Sequence, residues 1–262
     1  MSRDYRKNGR KNAAPDIPAE NLLAGKNAVA EALAAGRGIN TLYLVDGMHG
    51  SAAGKLIELA KTKGVPHRMI SREKLDSLAQ GIRHQGVLAI AAPVRYVEVE
   101  EILSRAEEKG DVPFLMLLDE LEDPHNLGAL LRTADAVDIH GILIPKRRSV
   151  PLNATVAKTS AGAIEHVPVA RIGNVAQTVR RLKEKGLWVI GADMTGEVAW
   201  KADLTGPTLL IVGSEGHGMS RLTRELCDIV VKLPMHGKIN SLNASVAGGV
   251  LAYEILRQRS LK

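Results

Sequence analysis

Short apolar runs alternate with amphipathic helical patterns through the second half of the chain, and this feature constrains the fold most. The runs hold five to seven residues each, and the chain then closes on the helical pattern SVAGGVLAYEILRQ. They are FLMLLDE, GILIP, HVPVA, LWVIGAD, TLLIVG and IVVKLP. Strands that are apolar on both faces are typical of a parallel sheet covered by helices on its two sides. We therefore predict an α/β domain with a parallel sheet over residues 113–262.

A smaller α/β unit is predicted for residues 19–93. The stretch NLLAGKNAVAEALAAG places Leu22, Val29 and Leu33 at helical spacing and predicts one helix. SAAGKLIELAKTKG and SREKLDSLAQ predict two more helices, the second with Ser71 as its N-cap. TLYLV, HRMI and GVLAIAAP are short β-rich runs and predict strands. The chain should therefore fold as two α/β domains.

The remaining segments are a tail and a linker. Residues 94–112 are charged and are expected to form a linker with one short helix. Residues 1–18 are expected to form a basic, disordered tail. The net charge is +6, of which +4 lies in the first twelve residues, −1 in residues 13–112 and +3 in residues 113–262. The tail could serve solubility alone, or it could be an arm that gains binding energy on RNA by counterion release.

Composition excludes several classes of protein. The single cysteine, Cys227, cannot form an internal disulfide. The chain has no hydrophobic leader and no apolar run near the ~20 residues that span a bilayer, so we expect a cytoplasmic protein without membrane contact. Aromatic residues are only 3% of the chain, which disfavours a single-strand binder built on aromatic platforms. We expect no metal site, because the candidate histidines lack ligand spacing. These histidines are His84, His125, His217 and His236.

The first polar stretch at the end of a predicted strand runs from Leu118 to Val137. Ligands of such sheets bind beyond the carboxyl ends of the strands. Asn126 is placed to be a helix N-cap, and capping alone could explain it. Arg132 interrupts an otherwise apolar helix face, either for function or because it pairs with Asp135 or Asp123.

Two further stretches follow later strands. Leu209 to Thr223 holds the loop GSEGHG, whose glycines allow close approach to a ligand, while Glu215 within it could also be a solvated turn residue. Val231 to Leu256 places Ser241 and Asn243 before the last helix, where one of them could be only an N-cap. The small residues of that helix allow either a buried crossing within one chain or a symmetric dimer contact.

Taken together and in this order, the three stretches resemble the three motifs of the SpoU/TrmH family of RNA ribose 2′-O-methyltransferases. The resemblance extends from about Leu115 to Gln258, and the segments that carry it are PHNLGALLRTADA, PKRRSVPLNATVAKTSAGA, GSEGHGMSRLTRE and SLNASVAGG. Within the family the chain is most similar to the RlmB-type enzymes, which methylate a guanosine ribose of 23S ribosomal RNA. The segments GKNAVAEAL and RHQGV are also similar to the small substrate-binding domain of these enzymes.

The resemblance implies a SPOUT-type parallel sheet with a C-terminal trefoil knot, S-adenosyl-L-methionine as the methyl donor, and a homodimer. The implied catalytic residues are Asn126, Arg132, Glu215, Ser241 and Asn243. The implied cofactor-binding residues are Gly213, Gly216, Leu233, Met235 and Leu242.

Arg132 is charged at neutral pH and cannot be an ordinary base, so we expect it to hold a phosphate or to stabilise the developing alkoxide. Glu215, Ser241 and Asn243 would orient Arg132 and the ribose by hydrogen bonds. Basic residues between the first two motifs are expected to face RNA, namely Lys146, Arg147, Arg148 and Lys158. The same chemistry on tRNA or another ribosomal RNA site, and a non-catalytic RNA-binding assembly factor, remain as alternative hypotheses.

Overall fold

The structure is a computed structural model that describes residues 17–48, 50–238 and 241–261. The first domain holds a four-stranded sheet in the order β1-β4-β2-β3, in which β4 runs antiparallel to β1 and β2. Its strands are β1 (Leu22–Ala24), β2 (Ile39–Val45), β3 (His67–Ile70) and β4 (Val87–Ala91). Its helices are α1 (Lys26–Ala34), α2 (Ser51–Thr62) and α3 (Arg72–Ala79). The expected cap of α3 is confirmed, since Ser71 accepts a hydrogen bond from Lys74 N.

The helix predicted to include Leu22 was placed too early. Leu22 belongs to β1, whose three residues are all buried and pair with β4. Helix α1 begins only after Gly25, which has a φ of +101°. At the edge of β4 the apolar residues Leu22–Ala24 gain both backbone hydrogen bonds and burial. These tertiary interactions stabilise a strand more than the helical spacing of the apolar residues stabilises a helix.

The core of the first domain reaches back into the segment that was expected to be tail. Ile17 is buried among Leu22, Leu75 and Leu88, and Gln80 Nε2 donates a hydrogen bond to the Ile17 carbonyl (2.8 Å). The expected disordered tail otherwise lies outside the described residues, which begin at residue 17.

The second domain holds six strands in the order β10-β8-β9-β5-β6-β7, and every neighbouring pair is parallel. The strands are β5 (Phe114–Asp119), β6 (Gly141–Pro145), β7 (Val169–Ile172), β8 (Trp188–Val198), β9 (Thr208–Gly213) and β10 (Ile229–Lys232). The helices are α4 (Val99–Lys109), α5 (Pro124–Ala136), α6 (Ala154–Thr159), α7 (Val175–Glu184), α8 (Arg221–Glu225) and α9 (Ala244–Arg259).

Both faces of the large sheet are buried, as its continuous apolar strands predict. Along β5, Met116 packs in one cluster with residues of α5 and α9, while Leu117 packs in another with residues of α4 and α7. The predicted parallel α/β domain with a smaller N-terminal α/β domain is thus confirmed. The C-terminal trefoil knot stays a prediction, because the path from β10 to α9 includes Ile239 and Asn240, which lie outside the described residues.

The segment expected to link the domains packs against the second domain. Helix α4 buries Val99, Ile102 and Ala106. Just before it, Val97 N donates to the Val169 carbonyl (2.9 Å), and Tyr96 Oη accepts a hydrogen bond from Leu152 N (2.8 Å). Among the helices of the described ranges, none is both long and apolar enough to cross a membrane.

Candidate functional site

The polar stretches meet at the carboxyl edge of the large sheet because β5 and β9 lie side by side. Their pairing places Asp119 opposite Gly213 at the last position of both strands. The buried Asp119 carboxylate then accepts a hydrogen bond from Ser220 N (3.0 Å). This bond ties the loop after β9 to the end of β5.

Asn126, Glu215 and Asn243 form a hydrogen-bonded cluster at this edge. Asn126 is 4% exposed, and its Nδ2 donates to Glu215 Oε1 (3.0 Å). Asn126 Oδ1 accepts from Asn243 Nδ2 (2.9 Å), which also donates to Glu215 Oε1. The structure therefore brings together three of the five residues predicted to be catalytic, although they are 28 to 117 positions apart along the chain.

Asn126 does not cap its helix, contrary to the capping interpretation. Asp123 is the N-cap of α5 and accepts a hydrogen bond from His125 N (2.8 Å), with Pro124 as the first helical residue. Proline suits that position because its missing N–H would be unpaired there in any case. Asn126 thus lies inside the first turn, where its side chain is free to join the cluster.

Asn243 does cap α9 while its amide nitrogen serves the cluster. Its Oδ1 accepts hydrogen bonds from Ser245 N (2.9 Å) and Val246 N (3.2 Å). The capping role and the candidate functional role therefore use different atoms of one side chain. Ser241 lies two residues earlier, exposed at the rim of the adjacent cavity.

Arg132 is not part of the cluster. It is exposed, and it forms no hydrogen bond or ion pair with any described residue, including Asp123 and Asp135. Arg132 comes six positions after Asn126 in α5, which amounts to about 9 Å along the helix axis and places the two side chains on different faces of the helix. It lies instead in a cleft that Tyr253 of α9 also lines.

A cavity of about 280 Å³ adjoins the cluster between the ends of β8, β9 and β10. Four of the five predicted cofactor-binding residues line it, namely Gly213, Leu233, Met235 and Leu242. The fifth, Gly216, lines a neighbouring cleft that contains Asn126 and Glu215. Most of the cavity wall is apolar, as expected of a small-molecule site with few polar contacts.

Gly213 shows why a glycine stands at the end of β9. A Cβ at this position would lie 2.1 Å from the carbonyl carbon of Gly218 and 2.3 Å from Met219 N. Two backbone segments therefore pass each other at a distance that excludes any side chain. This close passage forms one wall of the cavity.

Asp193 and Met194 also line the cavity, although neither is among the site residues predicted from the sequence. They occupy β8 at the carboxyl edge of the sheet, and that position is the signal that could have found them. Burial opposes ionisation of Asp193, but hydrogen bonds from Thr195 and Arg224 keep the pKa of its carboxyl below the usual value. Arg224 Nη1 lies 2.9 Å from Asp193 Oδ1.

Glu215 leaves negative charge at the mouth of the cavity. Its carboxylate accepts hydrogen bonds from two neutral amides, and it forms no ion pair with a cationic side chain of the described residues.

Burial raises the pKa of the Cys227 thiol to about 11, so this residue offers no thiolate nucleophile at neutral pH. Across the described ranges no group of histidine, cysteine and carboxylate side chains is arranged to hold a metal ion.

The four basic residues predicted to face RNA lie in two places. Lys146, Arg147 and Arg148 are exposed in the loop after β6, where Arg148 Nη1 pairs with Glu120 Oε1 (2.8 Å). Lys158 lies in the last turn of α6, where burial lowers the pKa of its ammonium group and the positive charge of Arg83 lowers that pKa further.

Two family models match the chain. The SpoU rRNA Methylase family matches residues 113–253, and the domain described as RNA 2′-O ribose methyltransferase substrate binding matches residues 22–97. YacO of Bacillus subtilis, assigned to the TrmH family of tRNA/rRNA methyltransferases, is 50% identical over 92% of this chain and 96% of its own length. A TrmH family protein of Staphylococcus haemolyticus is 43% identical over 91% of this chain and 96% of its own.

Among solved structures, the SpoU methyltransferase AviRb of Streptomyces viridochromogenes, determined in complex with its cofactor AdoMet, shares the fold. The two chains superpose with a TM-score of 0.77 at 24% identity, over 92% of this chain and 91% of AviRb. With the family model over more than half of its length and a relative at 50% identity over nearly all of it, this chain belongs to the SpoU/TrmH family of RNA methyltransferases.

Proposed function

We propose that this protein transfers a methyl group from S-adenosyl-L-methionine to the ribose 2′-hydroxyl of a guanosine in 23S ribosomal RNA. The observation that carries this proposal is the cluster of Asn126, Glu215 and Asn243 beside the cavity that contains Gly213 and Leu233. Residues 113–262 would be the methyltransferase domain and residues 19–93 the substrate-binding domain, with ribosomal RNA in the cytoplasm as the partner.

The cavity fits the proposed cofactor. Its apolar wall, with Leu233, Leu242 and Met235, suits an adenine ring and an aliphatic chain, while Gly213 and Gly218 bring backbone to the cavity wall. The unpaired charge of Glu215 at the mouth favours a ligand that carries a sulfonium and an ammonium group. S-adenosyl-L-methionine supplies an electrophilic methyl group when it is bound.

Side chains of this protein would position the ribose and stabilise the negative charge that develops during the reaction. Asn126 and Asn243 fix the Glu215 carboxylate, which can then accept a hydrogen bond from a ribose hydroxyl at one defined position. Ser241 at the rim can donate to or accept from the same sugar. Arg132 cannot act as a base, and we assign it to an RNA phosphate or to the negative charge that develops on the attacking oxygen.

The proposal includes a homodimer that forms through α9. Val246, Val250 and Tyr253 lie at helical spacing and are 49%, 40% and 53% exposed, which leaves an apolar stripe on this helix. Tyr253 also lines the cleft that holds Arg132, so a second copy on this stripe would lie against Arg132.

Methyl transfer tests the proposal directly. The full-length protein is incubated with labelled S-adenosyl-L-methionine and a 23S ribosomal RNA transcript, and the labelled nucleotide is mapped. We expect one labelled guanosine, and no label when the target ribose lacks its 2′-hydroxyl. Label that persists on the 2′-deoxy substrate, or no label in any RNA, would contradict the proposal.

Arg132→Ala should lower turnover about 100-fold while cofactor affinity stays the same, because the variant loses charge stabilisation and leaves the cavity intact. Arg180→Ala, which removes an exposed arginine from α7, is the matched control and should keep full activity. If Arg132→Ala and Arg180→Ala have equal activity, Arg132 does not contribute to catalysis.

A tRNA substrate is the second candidate, because the relatives are assigned to both tRNA and ribosomal RNA methylation. The same assay with a tRNA pool separates the two, since the label would then appear in tRNA. If the protein binds RNA but neither binds S-adenosyl-L-methionine nor transfers a methyl group, it would instead be a non-catalytic assembly factor.

A further inference from the structure

Strand β8 carries a large bulge beside the cavity that contains Gly213. Two consecutive residues of β10 pair with Gly191 and Glu197 of β8, which are six positions apart. Residues 192–196 therefore leave the ladder with β10. Bulges near functional sites commonly re-aim a side chain, and this one places Asp193 in the cavity wall.

One carboxylate oxygen of Asp193 is occupied by donors of the protein itself. Oδ1 accepts hydrogen bonds from Thr195 N (2.9 Å) and Thr195 Oγ1 (2.6 Å). Arg224 Nη1 lies 2.9 Å from the same oxygen, and Arg224 Nη2 donates to Thr195 Oγ1. The side chain is therefore held in one orientation, and a ligand in the cavity can reach only Oδ2.

The other oxygen, Oδ2, is open toward the cavity. It forms no hydrogen bond with any residue that the structure describes, although the Asp193 side chain is only 21% exposed. It faces Gly218, another residue of the cavity wall, since a Cβ at Gly218 would lie 3.7 Å from it. Gly218 has no side chain that could cover this oxygen. Because a partly buried acceptor without a donor is costly, a ligand that brings a hydrogen-bond donor is favoured here.

The charges around Asp193 indicate which kind of donor suits it. The Arg224 guanidinium balances the Asp193 carboxylate, whereas Glu215 has no cationic partner among the described residues. A neutral hydroxyl therefore suits Asp193, and a positively charged group suits Glu215. Hydroxyls form strong hydrogen bonds with carboxylates, and carboxylates near strand ends bind the ribose hydroxyls of dinucleotides in other α/β sheets.

We propose that Asp193 Oδ2 accepts a hydrogen bond from a ribose hydroxyl of S-adenosyl-L-methionine and thereby positions the adenosine part of this ligand in the cavity. The inference rests on the proposed function, in that S-adenosyl-L-methionine is the ligand of the cavity. Asp193 and Glu215 then bind different parts of it, the neutral ribose and the positively charged methionine part. Thr195 and Arg224 act through Asp193 as positioning residues.

Calorimetry with S-adenosyl-L-homocysteine and the full-length protein tests this contact, because the ligand keeps the ribose and its binding needs no methyl transfer. Asp193→Asn should bind it about tenfold more weakly, since an amide is a weaker acceptor than a carboxylate. Glu197→Gln is the matched control. It changes an exposed carboxylate of the same strand that does not line the cavity, and it should bind as the wild-type protein does. Equal affinities of Asp193→Asn and the wild-type protein would overturn the inference.

Ligands that lack one ribose hydroxyl separate a contact from a purely structural role of Asp193. The probes are the 2′-deoxy and 3′-deoxy forms of S-adenosyl-L-homocysteine. The wild-type protein should bind one of them about tenfold more weakly than the parent ligand. Asp193→Asn should bind that form and the parent ligand with affinities within about twofold of each other. If Asp193→Asn discriminates against both deoxy forms as the wild-type protein does, Asp193 only maintains the bulge and the inference is wrong.

The ligand 5′-methylthioadenosine separates the ribose from the amino-acid part, because it keeps the ribose and lacks the ammonium group. Asp193→Asn should weaken its binding by the same factor as that of S-adenosyl-L-homocysteine. A loss confined to S-adenosyl-L-homocysteine would assign Asp193 to the ammonium group and overturn the inference. If the wild-type protein binds none of these ligands, the proposed function fails as well, whereas wild-type binding that Asp193→Asn leaves unchanged overturns this inference alone. Melting curves check that each variant is folded.

Discussion

Single residues at the candidate site are constrained by the close approach of backbone segments. Gly213 leaves no room for a Cβ, whereas a Cβ at Gly206, which precedes the same strand, would contact nothing within 4 Å. The local sequence does not distinguish them, because Gly206 comes just before the apolar run TLLIVG and Gly213 ends it. Only the passage of Gly218 and Met219 across the end of β9 makes one of them irreplaceable.

Gly213→Ala should lower the free energy of unfolding by about 3 kcal/mol, because a methyl group would overlap backbone atoms that cannot move aside. It should also abolish measurable cofactor binding by calorimetry. Gly206→Ala is the matched control and should change stability by less than about 1 kcal/mol. A Gly213→Ala variant with wild-type stability in urea would show that the backbone passage yields easily.

At the scale of elements, helix α9 packs into the core of the domain with one face and exposes apolar side chains on the other. On one face Gly248 lets Leu130 and Val212 approach, since a Cβ there would lie 2.8 Å from Leu130 Cδ2. This is the buried crossing within one chain that the small residues allow. The opposite face carries the apolar stripe of Val246, Val250 and Tyr253.

Val250→Glu should convert the proposed dimer to monomer, because it places a charge in the centre of the apolar stripe. Sedimentation velocity at micromolar concentration measures the change, and the melting curve checks the fold. Leu222→Glu on α8, where the leucine is 51% exposed, is the control and should leave the assembly state unchanged. Identical sedimentation of Val250→Glu and the wild-type protein would place the contact elsewhere.

At the scale of the whole molecule, the two domains share one hydrophobic cluster. Val29 and Leu33 of α1 belong to it together with Leu130 of α5 and Ile164. The junction also contains the ion pair between Arg37 and Glu165. A charge left there without its partner would be costly, since little of either side chain is exposed to water.

Glu165→Ala should lower the free energy of unfolding by about 3 kcal/mol, because it leaves the largely buried Arg37 side chain without its carboxylate partner, with only the hydrogen bond from Nε to the Ala92 carbonyl remaining. Replacement of both residues, Arg37→Met with Glu165→Leu, should recover most of that loss. Glu101→Ala, which removes a half-exposed partner of Arg105, is the control and should cost at most about 1 kcal/mol. Urea denaturation measures all three, and equal losses for Glu165→Ala and Glu101→Ala would contradict a dry junction.

The sequence by itself determined the elements that depend on local pattern. Apolar runs predict the presence of all six strands of the large sheet, although β7 begins at Val169, three residues into the run HVPVA, and β8 continues to Val198. The cap at Ser71 follows from a polar residue before a helical period. The three polar stretches could be placed at one edge because parallel strands end together. Their resemblance to known motifs indicates the family independently of the geometry.

Tertiary structure decided what depends on contacts between distant residues. Leu22 became a strand residue because the edge of β4 was available, and Asn126 joined Glu215 and Asn243 rather than capping its helix. Arg37 and Glu165 form an ion pair only because the two domains dock. The pattern along the chain shows which residues are apolar and how they are spaced. The energies of burial, of backbone pairing and of charge interactions depend instead on neighbours that only folding brings together.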